Sequence, residues 1–187
     1  MMKLCNFFLG AVLVSGALMS AQEASTPRYE TGLNYSWFHV NAPKDDYHRT
    51  GNGGSGYFEY NINPMWGLVA DFGGYANTRK GIDQKLMTYM FGPRFNWRHS
   101  RFTPYAQFLF GGSYVWNSPT RITTTQNAFA TAAGGGLDYS LTKRIAIKPI
   151  QVEYVMTQLD SANGFGSHQN NIRYSAGVVF RFGNVGE

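Results

Sequence analysis

Residues 172–182 read Ile-Arg-Tyr-Ser-Ala-Gly-Val-Val-Phe-Arg-Phe, and this stretch decides the fold. Apolar and polar or small side chains alternate along it, which is the period-two pattern of a β-strand. One face carries bulky groups that include Phe180 and Phe182, whereas the other face carries Arg173 and Arg181. A transmembrane barrel turns its rings toward lipid and its polar groups toward the lumen. We therefore interpret this segment as the last strand of such a barrel.

The amino end of the chain has the build of a secretory signal peptide. Lys3 precedes the apolar stretch 7–19, and Ser20-Ala21 offers small residues for cleavage. This order of a basic start, an apolar stretch and a small-residue site predicts removal of residues 1–21, although the bulky Met19 leaves the cleaved bond open. Cys5, the only cysteine, falls within this segment. The exported chain is therefore predicted to carry no disulfide and no thiolate metal site.

Composition limits the class of protein further. The chain has 187 residues, so removal of a 21-residue leader leaves 166, which suits one domain; we assign it to 28–183. Charged residues make up only 14% and aromatic residues 16% of the chain. In the exported part no apolar run reaches the roughly 18 residues of a membrane helix, which leaves a closed barrel as the route into a membrane. The net charge of +5 is scattered, so binding of nucleic acid is not predicted.

Eight segments share the alternation and predict an all-β, eight-stranded antiparallel up-and-down transmembrane β-barrel. They are 29–40, 55–62, 66–76, 85–97, 103–115, 128–139, 144–156 and 172–182. The alternation changes phase in the seventh segment, so we predict a β-bulge near Lys148-Pro149. Aromatic residues near the strand ends predict two interfacial girdles. The inner girdle would contain Trp66, Trp97 and Tyr139, and the outer girdle Trp37, Tyr75 and Tyr114.

The connections between these segments alternate in length. Long polar connections are predicted at 41–54, 77–84, 116–127 and 157–170, and short turns at 63–65, 98–102 and 140–143. Outer-membrane barrels place long loops outside the cell and short turns in the periplasm. The glycine cluster 51–56 lacks the Gly-Lys-Ser/Thr of a phosphate-binding loop and is interpreted as part of the first long loop.

The inward phase of the strands brings ionisable side chains into the lumen. Because an unpaired buried charge is very costly, acids and bases there are predicted to neutralise one another. An eight-stranded barrel is just wide enough for side chains to fill it, so a plugged core is favoured over a narrow polar pore. The predicted lumen network consists of Glu30, Glu59, Asp71, Arg94, Asp138, Lys148, Glu153 and Arg173, with Arg181 near the periplasmic end.

Several stretches resemble the OmpA/OmpX-type family of small outer-membrane β-barrels. They include Trp66-Gly-Leu-Val-Ala-Asp-Phe-Gly-Gly-Tyr75, Phe91-Gly-Pro-Arg-Phe95 and the closing Ser175-Ala-Gly-Val-Val-Phe-Arg-Phe-Gly183. The resemblance implies a porin-like outer-membrane barrel whose terminal aromatics, Phe180 and Phe182, are read by the barrel-assembly machinery. Only residues 184–187 follow this stretch, so the peptidoglycan-binding domain found after the barrel in many relatives is not carried over.

Three functions remain open on the sequence alone. The first is a monomeric structural or surface-contact protein without enzymatic activity or cofactor. Here Arg79, Lys80 and Lys85 are candidate contacts for lipopolysaccharide phosphates, although simple solubility also explains them. The second is a narrow channel for small solutes. The third, a hydrolase that modifies lipid A, has little support, because Ser167-His168 lacks the order of a known serine–histidine motif.

Overall fold

Eight β-strands make up the regular structure of the chain. The computed structural model describes residues 26–41, 49–79, 82–118, 124–158 and 169–185. Within this part, no helix is long and apolar enough to cross a membrane. The strands are β1 (Tyr29–Asn41), β2 (Arg49–Asn61), β3 (Trp66–Arg79), β4 (Ile82–Asn96), β5 (Phe102–Ser118), β6 (Thr124–Ser140), β7 (Ile145–Gln158) and β8 (Gln169–Phe182). The predicted signal peptide, 1–21, lies outside the described residues.

The strands close into a barrel in simple sequence order. Each strand pairs antiparallel with its neighbours along the chain, and β1 pairs with β8 from Tyr29 opposite Phe182 to Asn41 opposite Asn170. The predicted fold class is therefore confirmed. Closure leaves no sheet edge unpaired, which is what a strand-built protein needs in hydrocarbon, where no water satisfies free backbone groups.

Alternation along the strands sorts side chains as the sequence predicts. In β5, Phe108 and Phe110 are 51% and 49% exposed, whereas Gln107 and Leu109, which alternate with them, are 5% and 0% exposed. The outer surface is thus a continuous belt of rings and aliphatic groups, far larger than the apolar patches that a protein in water tolerates. The inner surface holds most of the polar and charged side chains.

The predicted bulge in β7 is confirmed. On the β6 side, Leu137 pairs with Ile150 and Tyr139 pairs with Ile147, so Lys148 and Pro149 together oppose one residue of β6. Proline has no backbone N–H to leave unpaired, which suits it to this position. The extra residue reverses the phase of the strand, and both Lys148 and the residues after Ile150 keep their predicted faces.

Two of the predicted loops are wrong. Strands β3 and β4 stay paired as far as Arg79 opposite Ile82, so only residues 80–81 separate them instead of a long loop at 77–84. The glycine cluster 51–56 lies within β2, where it pairs with both β1 and β3. These segments are polar or rich in glycine, which is why the sequence predicts loops there. The strands are 13 to 17 residues long and so continue beyond the ~9–11 residues that cross a bilayer. Beyond the membrane, these strand ends need no apolar face.

The short turns are confirmed at the opposite end of the barrel. They occupy 62–65, 97–101 and 141–144, between β2 and β3, β4 and β5, and β6 and β7. The remaining connections, 42–48, 119–123 and 159–168, join strand ends on the other side and lie outside the described residues. By the rule for outer-membrane barrels, the end with short turns is the periplasmic end.

Candidate functional site in the barrel lumen

The lowest part of the lumen is organised around Glu30, at the start of β1. Arg98 donates from Nη2 to Glu30 Oε1 at 2.6 Å, and Arg181 donates from Nε to Glu30 Oε2 at 2.9 Å. Asn61 Nδ2 adds a third donor at 3.0 Å. Glu30 is therefore held by two cations and an amide. The sequence did not reveal Arg98, because it belongs to a turn and folds back into the lumen, which strand alternation cannot indicate.

Arg94 occupies the centre of the lumen. Its Nη1 lies 2.7 Å from Glu59 Oε2, and its Nε donates to Gln107 Oε1 at 2.8 Å. The guanidinium also lies over the rings of Tyr57 and Tyr105, with centroid distances of 4.7 and 4.3 Å. Since Arg94 is only 1% exposed, its positive charge is compensated by these protein groups.

Arg173 forms the next level toward the loops. Its guanidinium lies 3.0 Å from Asp71 and 2.6 Å from Glu153, and its Nη1 donates to the Tyr75 hydroxyl at 2.7 Å. Glu153 also accepts a hydrogen bond from Gln107 at 2.7 Å. Because Gln107 accepts from Arg94, the central and upper ion pairs belong to one hydrogen-bonded chain across the lumen.

Lys148 and Asp138 lie in the lumen as predicted but are not brought into a direct pair. Lys148 is 1% exposed, donates to Gln151 Oε1 at 3.0 Å, and has its ammonium 4.0 Å from the centroid of the Tyr57 ring. Asp138 is 2% exposed, and its Oδ1 has no hydrogen-bond partner among the described residues. Neither takes part in an ion pair of the described chain. The opposite charges of Lys148 and Asp138 therefore attract each other over a distance longer than a hydrogen bond.

An apolar layer lies on the loop side of these charges and was not predicted. Met90, Leu109, Ala132 and Val155 point inward from four consecutive strands and are at most 2% exposed. Leu109 pairs with Ala132, and Ala132 pairs with Val155, so these three residues form a row directly above the Gln107 and Glu153 level. Met90 pairs with Gly111 and lies one inward position further toward the loops. The lumen is thus polar in its periplasmic part and is lined by apolar residues on one side above it, whereas the buried Asn171 of β8 pairs with Val155 at the same height.

Tyr75 completes this layer and corrects one prediction. It was expected in the outer girdle, but it is 6% exposed and its ring lies 5.3 Å from that of Phe38 inside the barrel. The ring covers the inward side of Gly53 and Gly73, whose missing side chains leave the space that Tyr75 fills. Trp37, from the same predicted girdle, does face outward and is 57% exposed.

The predicted residues outside the lumen lie near the barrel ends. Phe180 and Phe182 face outward at the periplasmic end of β8, 37% and 54% exposed. Trp66 and Trp97 of the predicted inner girdle are exposed at the same end. Among the candidate lipopolysaccharide contacts, Arg79 and Lys85 are strand residues at the loop end and Lys80 lies outside the described residues.

A family comparison agrees with this architecture. The sequence matches the model of the outer membrane protein beta-barrel domain over residues 9–182. The chain belongs to this outer-membrane β-barrel family. Its place is therefore the outer membrane of the cell, where the exposed belt of rings contacts lipid.

Solved structures of outer-membrane barrels share the fold at low sequence identity. Neisserial surface protein A has a TM-score of 0.70 at 15% identity, with 82% of this chain and 97% of that chain covered. Ail of Yersinia pestis gives 0.61 at 17%, covering 83% and 99%. The amino-terminal barrel of Pseudomonas aeruginosa OprF gives 0.53 at 14%, covering 82% and 97%. No curated protein matches the sequence. At these identities the similarity establishes the fold and no residue roles.

Proposed function

We propose that this protein is a structural and surface-contact barrel of the outer membrane with a closed lumen. The observation that carries the proposal is the filling of the lumen at two successive levels. Arg94 and Arg173 are 1% exposed within one hydrogen-bonded chain, and Leu109 above them is 0% exposed. A conducting path needs continuous water, whereas apolar constrictions dewet and close.

A narrow channel is the second candidate, and one observation favours it. Buried polar atoms in the lumen without a hydrogen-bond partner among the described residues include Asn34 Oδ1, Tyr57 OH, Thr88 Oγ1 and Asp138 Oδ1. Such atoms are usually hydrated when buried. We place them in local hydrated sites rather than along a pore, because Met90 and the row that contains Leu109 and Val155 interrupt the polar lining on one side.

Single-channel recording in planar bilayers distinguishes the two candidates. The refolded protein, verified as a barrel by its heat-modifiable mobility on gels, is compared with Arg94→Ala. We expect no steady openings from the natural protein. Reproducible openings whose size changes with Arg94→Ala would refute the closed lumen and make the protein a narrow porin.

Surface contact is assigned to the loop end, where the strands project beyond the membrane. Arg79 and Lys85 lie on the paired strands β3 and β4, joined through residues 80–81, and Lys80 falls in this connection. We include contact of these cations with lipopolysaccharide phosphates in the proposal, because guanidinium and ammonium groups bind phosphate strongly. Ail has been solved with the heparin analogue sucrose octasulfate, so a barrel of this fold can present a surface for polyanions. Unchanged lipopolysaccharide-dependent stability in an Arg79→Ala/Lys80→Ala variant would contradict this part.

The same proposal covers assembly, oligomeric state and the lack of catalysis. Phe182 would be the aromatic read by the barrel-assembly machinery, so Phe182→Ala should reduce the amount of barrel inserted in cells without changing refolding in detergent. The protein would act as a monomer.

Its central carboxylates, Glu59 and Glu153, are occupied by arginines and amides, which leaves them unsuited to acid–base chemistry. Release of fatty acid from lipid A by the refolded protein would overturn the non-enzymatic assignment.

A further inference from the structure

Two turns at the periplasmic rim of the barrel carry exposed cations. The two turns 97–101 and 141–144 carry the exposed side chains of Arg101, Lys143 and Arg144. The described acids at this end of the chain are Glu30 and Asp138, and both are buried at 2% exposure. Among the described residues, the rim therefore presents positive charge to its surroundings with no exposed carboxylate to compensate it.

The two cationic turns are neighbours and form one surface. Strands β5 and β6 pair from Phe102 opposite Tyr139, and the backbone N–H of Ser140 donates to the carbonyl of Arg101 at 2.8 Å. This bond fixes the first turn against the start of the second. Arg144 is also fixed, because its carbonyl accepts from the backbone N–H of Arg181 at 2.9 Å.

Both turns are held by their own hydrogen bonds. His99 and Phe102 exchange backbone hydrogen bonds at 2.8 and 2.9 Å, which closes a two-residue turn around Ser100 and Arg101. In the other turn, the Thr142 hydroxyl accepts from the N–H groups of Arg144 and Ile145 at 3.2 and 3.0 Å. The cations therefore project from ordered backbone, which reduces the entropy lost when they bind a partner.

An apolar wall stands directly beside these cations. Trp97, Phe102 and Leu141 are 69%, 50% and 52% exposed on the lipid side, and the ring of Phe102 lies 5.1 Å from that of Tyr139. Aromatic rings of this kind mark the level of the lipid headgroups. Because the turns are so short, Arg101, Lys143 and Arg144 remain within that level.

We propose that Arg101, Lys143 and Arg144 form a binding surface for an anionic phospholipid of the periplasmic leaflet. The phosphate contacts the cations, and the acyl chains lie along Phe102 and Leu141. Cations beside an anionic leaflet attract it by charge, and guanidinium binds phosphate with paired hydrogen bonds. A peptidoglycan carboxylate would satisfy the charge alone and would leave the adjoining apolar wall unused, which is why we assign the surface to lipid.

Native mass spectrometry of lipids retained by the folded barrel tests the proposal. The full chain is refolded into nanodiscs of phosphatidylcholine with a minor fraction of phosphatidylglycerol, and the enrichment of phosphatidylglycerol on the ejected protein is measured. The test variant is Arg101→Gln/Lys143→Gln/Arg144→Gln. The matched control is Lys44→Gln/Arg49→Gln/Arg121→Gln, which removes the same charge from the loop end at residues without a proposed phosphate contact.

We expect the natural protein and the control to enrich phosphatidylglycerol and the rim variant to lose that preference by roughly tenfold. Equal losses in both variants would show an effect of net charge only, and an unchanged rim variant would refute the site. If the rim variant folds poorly, the enrichment of phosphatidylglycerol on the natural protein is measured at low and high salt instead. High salt screens exposed charges, so an enrichment that persists there overturns the proposal. Salt-sensitive capture of peptidoglycan fragments without any lipid enrichment overturns it as well.

Discussion

Replacement of Arg94 by methionine should strongly destabilise the barrel. The change keeps much of the side-chain volume but leaves Glu59 buried, with Asn96 as its nearest remaining donor at 2.7 Å. Removing one member of a buried ion pair typically costs about 3–5 kcal/mol, since the other charge is left uncompensated. Gln107 also loses the charged donor at 2.8 Å. We therefore expect a loss of about 4 kcal/mol in the free energy of unfolding.

The double variant Glu59→Met/Arg94→Met decides whether the charge is the cause. Apolar replacement of both partners is often close to neutral, so the main remaining cost is the loss of partners for Asn96 and Gln107, about 1–3 kcal/mol. The double variant should thus be more stable than Arg94→Met alone. The assay is reversible urea unfolding in lipid vesicles, followed by tryptophan fluorescence. The reasoning is refuted if the double variant loses as much stability as Glu59→Met and Arg94→Met lose together. It is also refuted if Arg94→Met alone costs less than about 1 kcal/mol.

Three further substitutions test local features of the barrel by the same unfolding assay. Ser100 has φ of 53°, so Ser100→Gly should stabilise by about 1 kcal/mol through relief of left-handed strain; no gain would mean that the turn relaxes at no cost. Gly92→Ala would place a methyl group against a backbone carbonyl of β5 and should cost about 2 kcal/mol or more, whereas Gly74→Ala, with open space around it, should be close to neutral. Equal costs for these two alanines would refute the steric argument. Arg98→Gln removes one of two cations from buried Glu30 and should cost about 1–3 kcal/mol, less than Arg94→Met because Arg181 remains; an equal or larger cost would contradict this ranking.

Strand alternation predicted most of the barrel, for a physical reason. A strand residue has only two faces available, so Arg94, Asp71 and Arg173 were assigned to the lumen from their phase alone, and the structure places them there. Alternation does not indicate how far a strand continues past the membrane, because polar side chains can face water on the outside of the barrel there. For this reason the sequence predicts the glycine-rich part of β2 as loop.

Contacts across the lumen were the other part that the sequence could not supply. Tyr75 was assigned to the outside because a tyrosine suits a membrane interface, but the absence of side chains at Gly53 and Gly73 made an inward cavity for it. The inward position of Tyr75 can be predicted only when it is known which strands pair with one another. The apolar row that includes Leu109 and Val155 also has the inward phase in the sequence, and only the paired strands show that its members share one level.

The buried ion pairs also explain how the last strand finds its register. A slip of one residue would turn every ring of β8 inward, so the alternation itself excludes it. A slip of two residues would keep every side chain on its face and is not excluded by the pattern of rings. It would, however, move Arg181 away from Glu30 and Arg173 away from Glu153, which lie directly opposite in the paired strands. Each pair would be displaced by roughly 6–7 Å, the rise of two strand residues. Glu153 would then be left buried without its cation, and Glu30 would keep only Arg98. We infer that hydrophobic alternation selects the faces of β8, whereas the charges in the lumen select its register at closure.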